Sequence, residues 1–204
     1  MLNDIQIDAV TEILNIGLGS AAAALSEMVE EEVILSIPSV EVLDRTNAAK
    51  IVGSGGVDTV SAVHQAFSGP IWGNALLFFP EKQSMELVRA VMRNTLPLET
   101  LSEMEQEGMT EIGNVILNAC LSSFADIFQN PIETNIPLFF QGNVNDLFRL
   151  QSDDDDTDET TLLLRMEFNL KHKEIKGFIS FLMNISSINS FLDSITHYLD
   201  VDIA

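Results

Sequence analysis

The chain has 204 residues, 46% of them hydrophobic, with 31 acidic against ten basic residues and a formal charge of −21 at neutral pH. That charge repels nucleic-acid phosphates and anionic lipids, and the scattered basic residues offset it nowhere, which excludes nucleic acid and a membrane surface as partners. No Gly-rich phosphate cradle is present, so unaided capture of a free phosphate ester is excluded as well.

The chain opens Met1-Leu2-Asn3-Asp4 and runs into an acidic amphipathic segment, without the basic start and continuous apolar stretch of a signal peptide, so the cytoplasm is the expected location. This segment reads as a long helix with Val10, Ile13, Leu14, Gly17, Ala21, Ala24, Leu25 and Met28 on its inward side. Strands are expected at Val57–Phe67 and Ile71–Phe79 around a Gly69-Pro70 turn, then a helix at Glu81–Arg93 with Met85, Val88 and Met92 on one face. The most apolar stretch, Gly69–Pro80, is interrupted by glycines and prolines and falls far short of the roughly 20 residues of a membrane helix. It reads as a core strand that buries Trp72. Pro97 breaks the pattern within Asn94–Thr100, and Ser102 with Glu105 forms a capping-box start for a second long helix. That helix turns Met109, Ile112, Ile116, Cys120, Phe124 and Ile127 inward. The run Asp153–Asp156, extended by Asp158 and Glu159, reads as a solvated loop and lacks the alternating ligands and glycine of a calcium site. Strands at Thr161–Leu170 and Glu174–Met183 precede a helix at Ser187–Leu199, with Ile188, Phe191, Leu192 and Ile195 inward.

Sliding the chain by 99 positions aligns residues 8–38 with 107–137 without a gap. Asp8 falls on Glu107, Thr11 on Thr110, Glu12 on Glu111, Ile13 on Ile112, Asn15 on Asn114, Leu18 on Leu117, Ile37 on Ile136 and Pro38 on Pro137. Val10/Met109, Ile16/Val115, Glu27/Asp126 and Val33/Ile132 are conservative pairs. Each half then runs helix, strands, helix. The expectation is an α+β fold in which residues 1–204 form one domain built from two repeats, about 1–97 and 98–204.

With Asp8 placed at zero on a helical wheel, Glu12 falls near 40°, Asn15 near 340° and Gly19 near 20°, opposite the apolar side. Glu107, Glu111, Asn114 and Asn118 repeat that stripe on the second helix. A merely solvated face tolerates many polar residues, whereas here Glu and Asn return together at the same spacing. A Glu/Asn pair at i, i+3 offers a carboxylate for a cation and a carboxamide that can orient a water through one donor and one acceptor, but no nucleophile. Dephosphorylation through such a pair would resemble the positioning of water in nucleotide hydrolysis, with the metal and the basic residue brought by the partner. A receiver domain, whose aspartyl phosphate sits beside Mg²⁺ and a lysine, meets that requirement.

The pattern Asp8-x₃-Glu12-x₂-Asn15-x₂₂-Pro38, repeated as Glu107-x₃-Glu111-Ile112-Gly113-Asn114-x₂₂-Pro137, resembles the CheC/CheX/FliY family of chemotaxis phosphatases. The resemblance covers nearly the whole chain. It implies a pseudo-two-fold α+β fold with two long helices side by side on a β-sheet, and action on phosphorylated CheY. Carried over, Glu12 and Glu111 would contact the receiver lysine and Asn15 and Asn114 would position the hydrolytic water. Asp8, Gly19, Glu107 and Asn118 would support partner contact. No metal or cofactor of its own is implied, since Mg²⁺ comes with the receiver. Two intact motifs make the chain look CheC-like, although Asn114 is followed by Val115-Ile116-Leu117-Asn118 where Asn15 is followed by Ile16-Gly17-Leu18-Gly19.

The rival reading is a non-catalytic module that docks a receiver or the CheD deamidase, a partner of CheC-type proteins. A self-contained hydrolase is disfavoured, because His64, His172 and His197 have no neighbouring ligand at metal spacing and Cys120 falls on the apolar face.

Overall fold

A computed structural model describes residues 3–53, 59–91, 101–149, 159–170 and 173–202. In chain order these form α1 (Asp4–Val29), β1 (Val33–Asp44), α2 (Arg45–Gly53), β2 (Thr59–Ser68), β3 (Gly73–Pro80), α3 (Glu81–Val91), α4 (Leu101–Phe128), β4 (Glu133–Thr134), β5 (Leu138–Asn143), α5 (Val144–Arg149), β6 (Glu159–Leu170), β7 (Lys173–Asn184) and α6 (Ile185–Asp202). The linker around Pro97, the run Asp153–Asp158 and His172 lie outside the described residues.

Helix α1 starts on a capping box. Asn3 Oδ1 accepts the Gln6 backbone N–H at 2.9 Å and Gln6 Oε1 accepts that of Asn3 at 3.1 Å, so two otherwise unpaired donors are satisfied. The sequence reading set this device at Ser102 and Glu105, one repeat further on. There α4 begins ahead of it, at Leu101, and Glu105 is buried elsewhere: its Oε1 lies 2.8 Å from Ser61 Oγ and 2.6 Å from Ser84 Oγ, tying α4 to β2 and α3. The two long helices end alike. Glu30 and Gln129 sit in the left-handed region, and the following N–H of Glu31 or Asn130 reaches back to Ser26 or Ala125, each at 3.2 Å.

The described strands make one antiparallel sheet in the order β1-β6-β7-β3-β2-β4, with β5 also beside β2. β3 and β7 meet at the centre, with Ala75 opposite Phe181 and Leu77 opposite Ile179. Outward from there the halves are interleaved: β1 pairs with β6 of the second half, and β5 pairs with β2 of the first. β1 carries a register shift between Ser36 and Ser39, around Pro38, which has no N–H for a ladder. At the equivalent place the second half breaks outright, between β4 and β5 at Asn135–Pro137.

Period-2 alternation sends one set of strand side chains to each face. Val63, Phe67, Leu77, Phe79, Leu164, Ile179 and Phe181 join α1, α3, α4 and α6 in the main core, where Phe124 meets Phe181 and Phe191 at centroid distances of 4.9 and 4.8 Å. Val60, Ala62, Leu76, Phe78, Leu163 and Leu182 face α2 and α5 through Ala48, Val52, Val144, Leu147 and Phe148. Burial on both faces explains why the strands read as apolar runs.

α1 is long and apolar enough to cross a membrane by composition, but its apolar side is taken up by β1 and α4, which marks it as a core helix. Its buried stripe runs through Val10, Leu14, Leu18, Leu25 and Val29 toward β1, leaving Ala24 and Met28, expected inward, exposed in the last turns. Trp72 is also outside, 52% exposed, because it precedes β3 and the fully buried Ile71 takes the inward position beside it.

α1 and α4 cross closely at Gly17. A Cβ there would meet Ser123 Oγ at 2.1 Å and the Ala119 carbonyl at 2.9 Å, whereas one at Gly19 would meet nothing within 4 Å. Gly17→Ala is therefore expected to destabilise the protein by about 1–3 kcal/mol through overpacking against backbone. Gly19→Ala is expected to stabilise it by up to about 1 kcal/mol through helix propensity. Urea unfolding of the two variants checks the opposite signs.

Candidate functional site

The same helix pair carries both stripes. Gly17 touches Ala119 and Ser123, and Ile13 and Ile16 line a cleft with Ser123, Asp126 and Ile127, so moving back along α1 corresponds to moving forward along α4. The helices are antiparallel, and the Glu12/Asn15 and Glu111/Asn114 pairs lie on either side of the crossing. Asp8, Glu12 and Gly19 are exposed, as are Glu107 and Glu111, while Asn15, Asn114 and Asn118 are half-buried.

The asparagines are half-buried because each carboxamide is held from inside. Asn15 Oδ1 accepts the Ile37 backbone N–H at 3.0 Å. An N–H can only donate, so the oxygen must face β1 and the Asn15 amide N–H₂ is left to turn away from it. Asn114 Oδ1 instead accepts from Asn118 Nδ2 at 2.8 Å; Asn118 Oδ1 accepts from Gln65 Nε2 at 3.2 Å; and Gln65 Nε2 also donates to the Asn135 carbonyl at 3.0 Å. Each carboxamide oxygen already takes one hydrogen bond from inside, so the end each site turns outward is the donor N–H₂, where the sequence reading had donor and acceptor equally free.

The second half lacks the backbone clamp. Ile37 is 2% exposed and packed in the core, whereas its counterpart Ile136 is 83% exposed. The residue before it, Asn135, which aligns with Ser36, bonds its own N–H to the Ala66 carbonyl at 2.9 Å. Gln65 is the contributor that sequence reading missed. Its signal was a polar residue at an inward position of β2, between Val63 and Phe67, where the alternation calls for an apolar side chain.

Electrostatics favour a cationic visitor. Helices α1, α4 and α6 contain no lysine or arginine, yet α1 presents Asp4, Asp8, Glu12 and Glu27 and α4 presents Glu107, Glu111 and Asp126. The cleft between α1, α4 and α6 has a volume of about 120 Å³ and exposed Ile16 and Tyr198 on its wall.

Other reactive groups are engaged elsewhere. His64 Nε2 lies 2.8 Å from Asn74 Oδ1 across the β2–β3 pair, and His197 is exposed on α6. Cys120 is fully buried, and desolvation pushes its thiol up to about 12, which keeps it a protonated core residue. Among the described residues no three His, Cys, Asp or Glu side chains converge as metal ligands.

No protein-family model matches the chain. Curated relatives do, two of them as follows. The chain is 23% identical over 135 residues to the CheY-P phosphatase CheC of Bacillus subtilis, covering 65% of this chain and 64% of CheC. It is 24% identical over 205 positions to the flagellar motor switch phosphatase FliY of the same organism, covering 91% of this chain and 51% of FliY. The chain thus spans about two thirds of one relative and half of the other. The fold is shared with FliY of Thermotoga maritima, at a TM-score of 0.75, 18% identity and 97% and 98% coverage of the two chains. It is also shared with the FliM middle domain of H. pylori, at 0.65, 11%, 95% and 99%, and with a CheC-like protein of Shewanella sp. PV-4, at 0.52, 14%, 89% and 98%. Both sequence matches and the common α+β architecture make this chain similar to proteins of the CheC/CheX/FliY family.

Proposed function

We propose that the chain hydrolyses the aspartyl phosphate of a CheY-type receiver domain in the cytoplasm, using Glu12 with Asn15 and Glu111 with Asn114. The observation that carries this reading is the pair of carboxamides whose oxygens are tied inward, at 3.0 and 2.8 Å, beside exposed carboxylates on two helices free of basic side chains. The relatives named as phosphatases support it.

A carboxylate at position 12 or 111 takes up the lysine of the receiver and brings the phosphoryl group over the helix. The adjacent Asn donates an amide hydrogen to a water oxygen, which turns that oxygen's remaining lone pair toward phosphorus in line with the leaving aspartate. The new O–P bond forms as the aspartyl O–P bond breaks, releasing inorganic phosphate and the free receiver carboxylate. A loose transition state asks little activation of the water, so no base is required of this chain. The receiver's Mg²⁺ supplies charge neutralisation at the phosphoryl oxygens.

The test is the decay of a phosphorylated CheY-type receiver in Mg²⁺, with and without the protein; unchanged decay across several receivers that bind it would leave a docking module, for a receiver or CheD, as the function. Glu12→Gln with Glu111→Gln is expected to raise KM about tenfold with kcat nearly kept, as removal of a binding charge predicts. The same change should flatten the salt dependence of kcat/KM.

A further inference from the structure

We propose that Gln65 is a positioning residue for the second site, acting through Asn118 to fix which end of the Asn114 carboxamide meets the substrate. This rests on the phosphatase reading for its kinetic consequence, but the arrangement itself is structural. The order of donors and acceptors is set at one end by a group that has no alternative. The Asn135 backbone carbonyl can only accept, so the Gln65 amide nitrogen must face it, 3.0 Å away. The same nitrogen's second hydrogen points to Asn118, which must answer with its oxygen, at 3.2 Å. Asn118 is then obliged to offer its own N–H₂ to Asn114, which must answer with oxygen, at 2.8 Å. The Asn114 N–H₂ is then the end of the carboxamide turned to the solvent side.

The first site reaches the same polarity by one bond from a backbone donor, Ile37 N–H, and the residue matching Asn118 is Gly19, which has no side chain to relay anything. The two sites are therefore alike in what they present and unlike in what holds it. Gln65 is 1% exposed, and its Oε1 is buried without a hydrogen-bond partner. A buried unpaired acceptor needs a reason to persist. The reason here is that its amide nitrogen serves both Asn135 and Asn118; turning the amide over would set oxygen against the Asn135 carbonyl.

Gln65→Glu keeps the shape but places only acceptors at this point, so the Asn118 amide must turn to donate, its oxygen must face Asn114, and Asn114 must turn its N–H₂ inward. In an Asn15→Ala background, where only the second site works, this is expected to lower kcat at least about tenfold with KM little changed. In an Asn114→Ala background the same substitution should alter the remaining activity less than twofold. An activity-independent reading comes from NMR of the side-chain amides: Gln65→Glu should shift the Asn114 Nδ2 resonances and leave those of Asn15 in place. Equal losses in both backgrounds would make Gln65 merely structural and overturn the proposal, as would unmoved Asn114 resonances. If the unaltered protein fails to accelerate phosphate loss, the phosphatase reading falls, and the NMR shift still decides whether the relay orients Asn114.

Discussion

Replacing Asn15 and Asn114 together by Ala is expected to abolish acceleration of receiver dephosphorylation, a loss on the order of 2–4 kcal/mol of transition-state stabilisation at each site. On the proposed function either single change should leave one site working, so the double variant carries the test. Alanine has a second effect at position 15. It leaves the buried Ile37 N–H without its acceptor, which should destabilise the fold by about 1–3 kcal/mol. Asp at both positions separates the two effects. Its carboxylate still accepts from Ile37 N–H at one site and from Asn118 Nδ2 at the other, while the outward N–H₂ becomes an acceptor oxygen. The Asp pair should keep the urea midpoint and binding of the phosphorylated receiver, yet lose activity as fully as the Ala pair. Retained activity in the Asp pair would show that donation from Asn is not what orients the water.

The stripe was legible in the sequence because helical periodicity is local: four polar residues on one narrow face, opposite apolar ones, require only the 3.6-residue repeat. The strands 59–68, 73–80, 159–170 and 173–184 were legible as apolar runs. β1 and β5 were not, because the bulge at Pro38 and the break before Leu138 interrupt the alternation that would announce them. α2 and α5 are short, and they owe their place to the apolar side chains they lay on the second face of the sheet. What the sequence displayed without explaining is the fixed interval between Asn15 and Pro38. The chain must leave α1, turn at Glu30 and return along β1 so that the residue before the proline reaches the asparagine, and Ile37 N–H does so. The same interval in the second half, Asn114 to Pro137, no longer serves that bond, and only the structure reveals the Asn118–Gln65 route that takes over. A repeat can thus preserve a functional group while changing its support.

Strand exchange between the repeats leads to a second large effect: a separate polypeptide of residues 1–97, or of 98–204, is expected to lack a cooperative unfolding transition as a monomer. In the first half β1 has its ladder on β6, from Val33 opposite Leu170 to Asp44 opposite Thr160, and β3 has its outer edge on β7. Alone, this half would expose the edges of β1 and β3 and the face of α1 that packs on α4, around Gly17. Its remaining intrinsic sheet is the β2–β3 hairpin, and an isolated hairpin is marginal in water. The second half would keep the β6–β7 hairpin but lose β2, the partner of β5. Mixed as two polypeptides, the halves should recover the missing ladders from each other and refold as a one-to-one complex, visible by far-UV circular dichroism and light scattering. A single half that unfolds cooperatively as a monomer would mean that its first strand can find a partner within its own repeat, and the interleaved sheet would then be a late docking of two finished units. Failure of both halves to fold singly, with recovery on mixing, would make the pairing of β1 with β6 and of β5 with β2 a condition of folding, and the two Glu/Asn stripes would exist only as a pair.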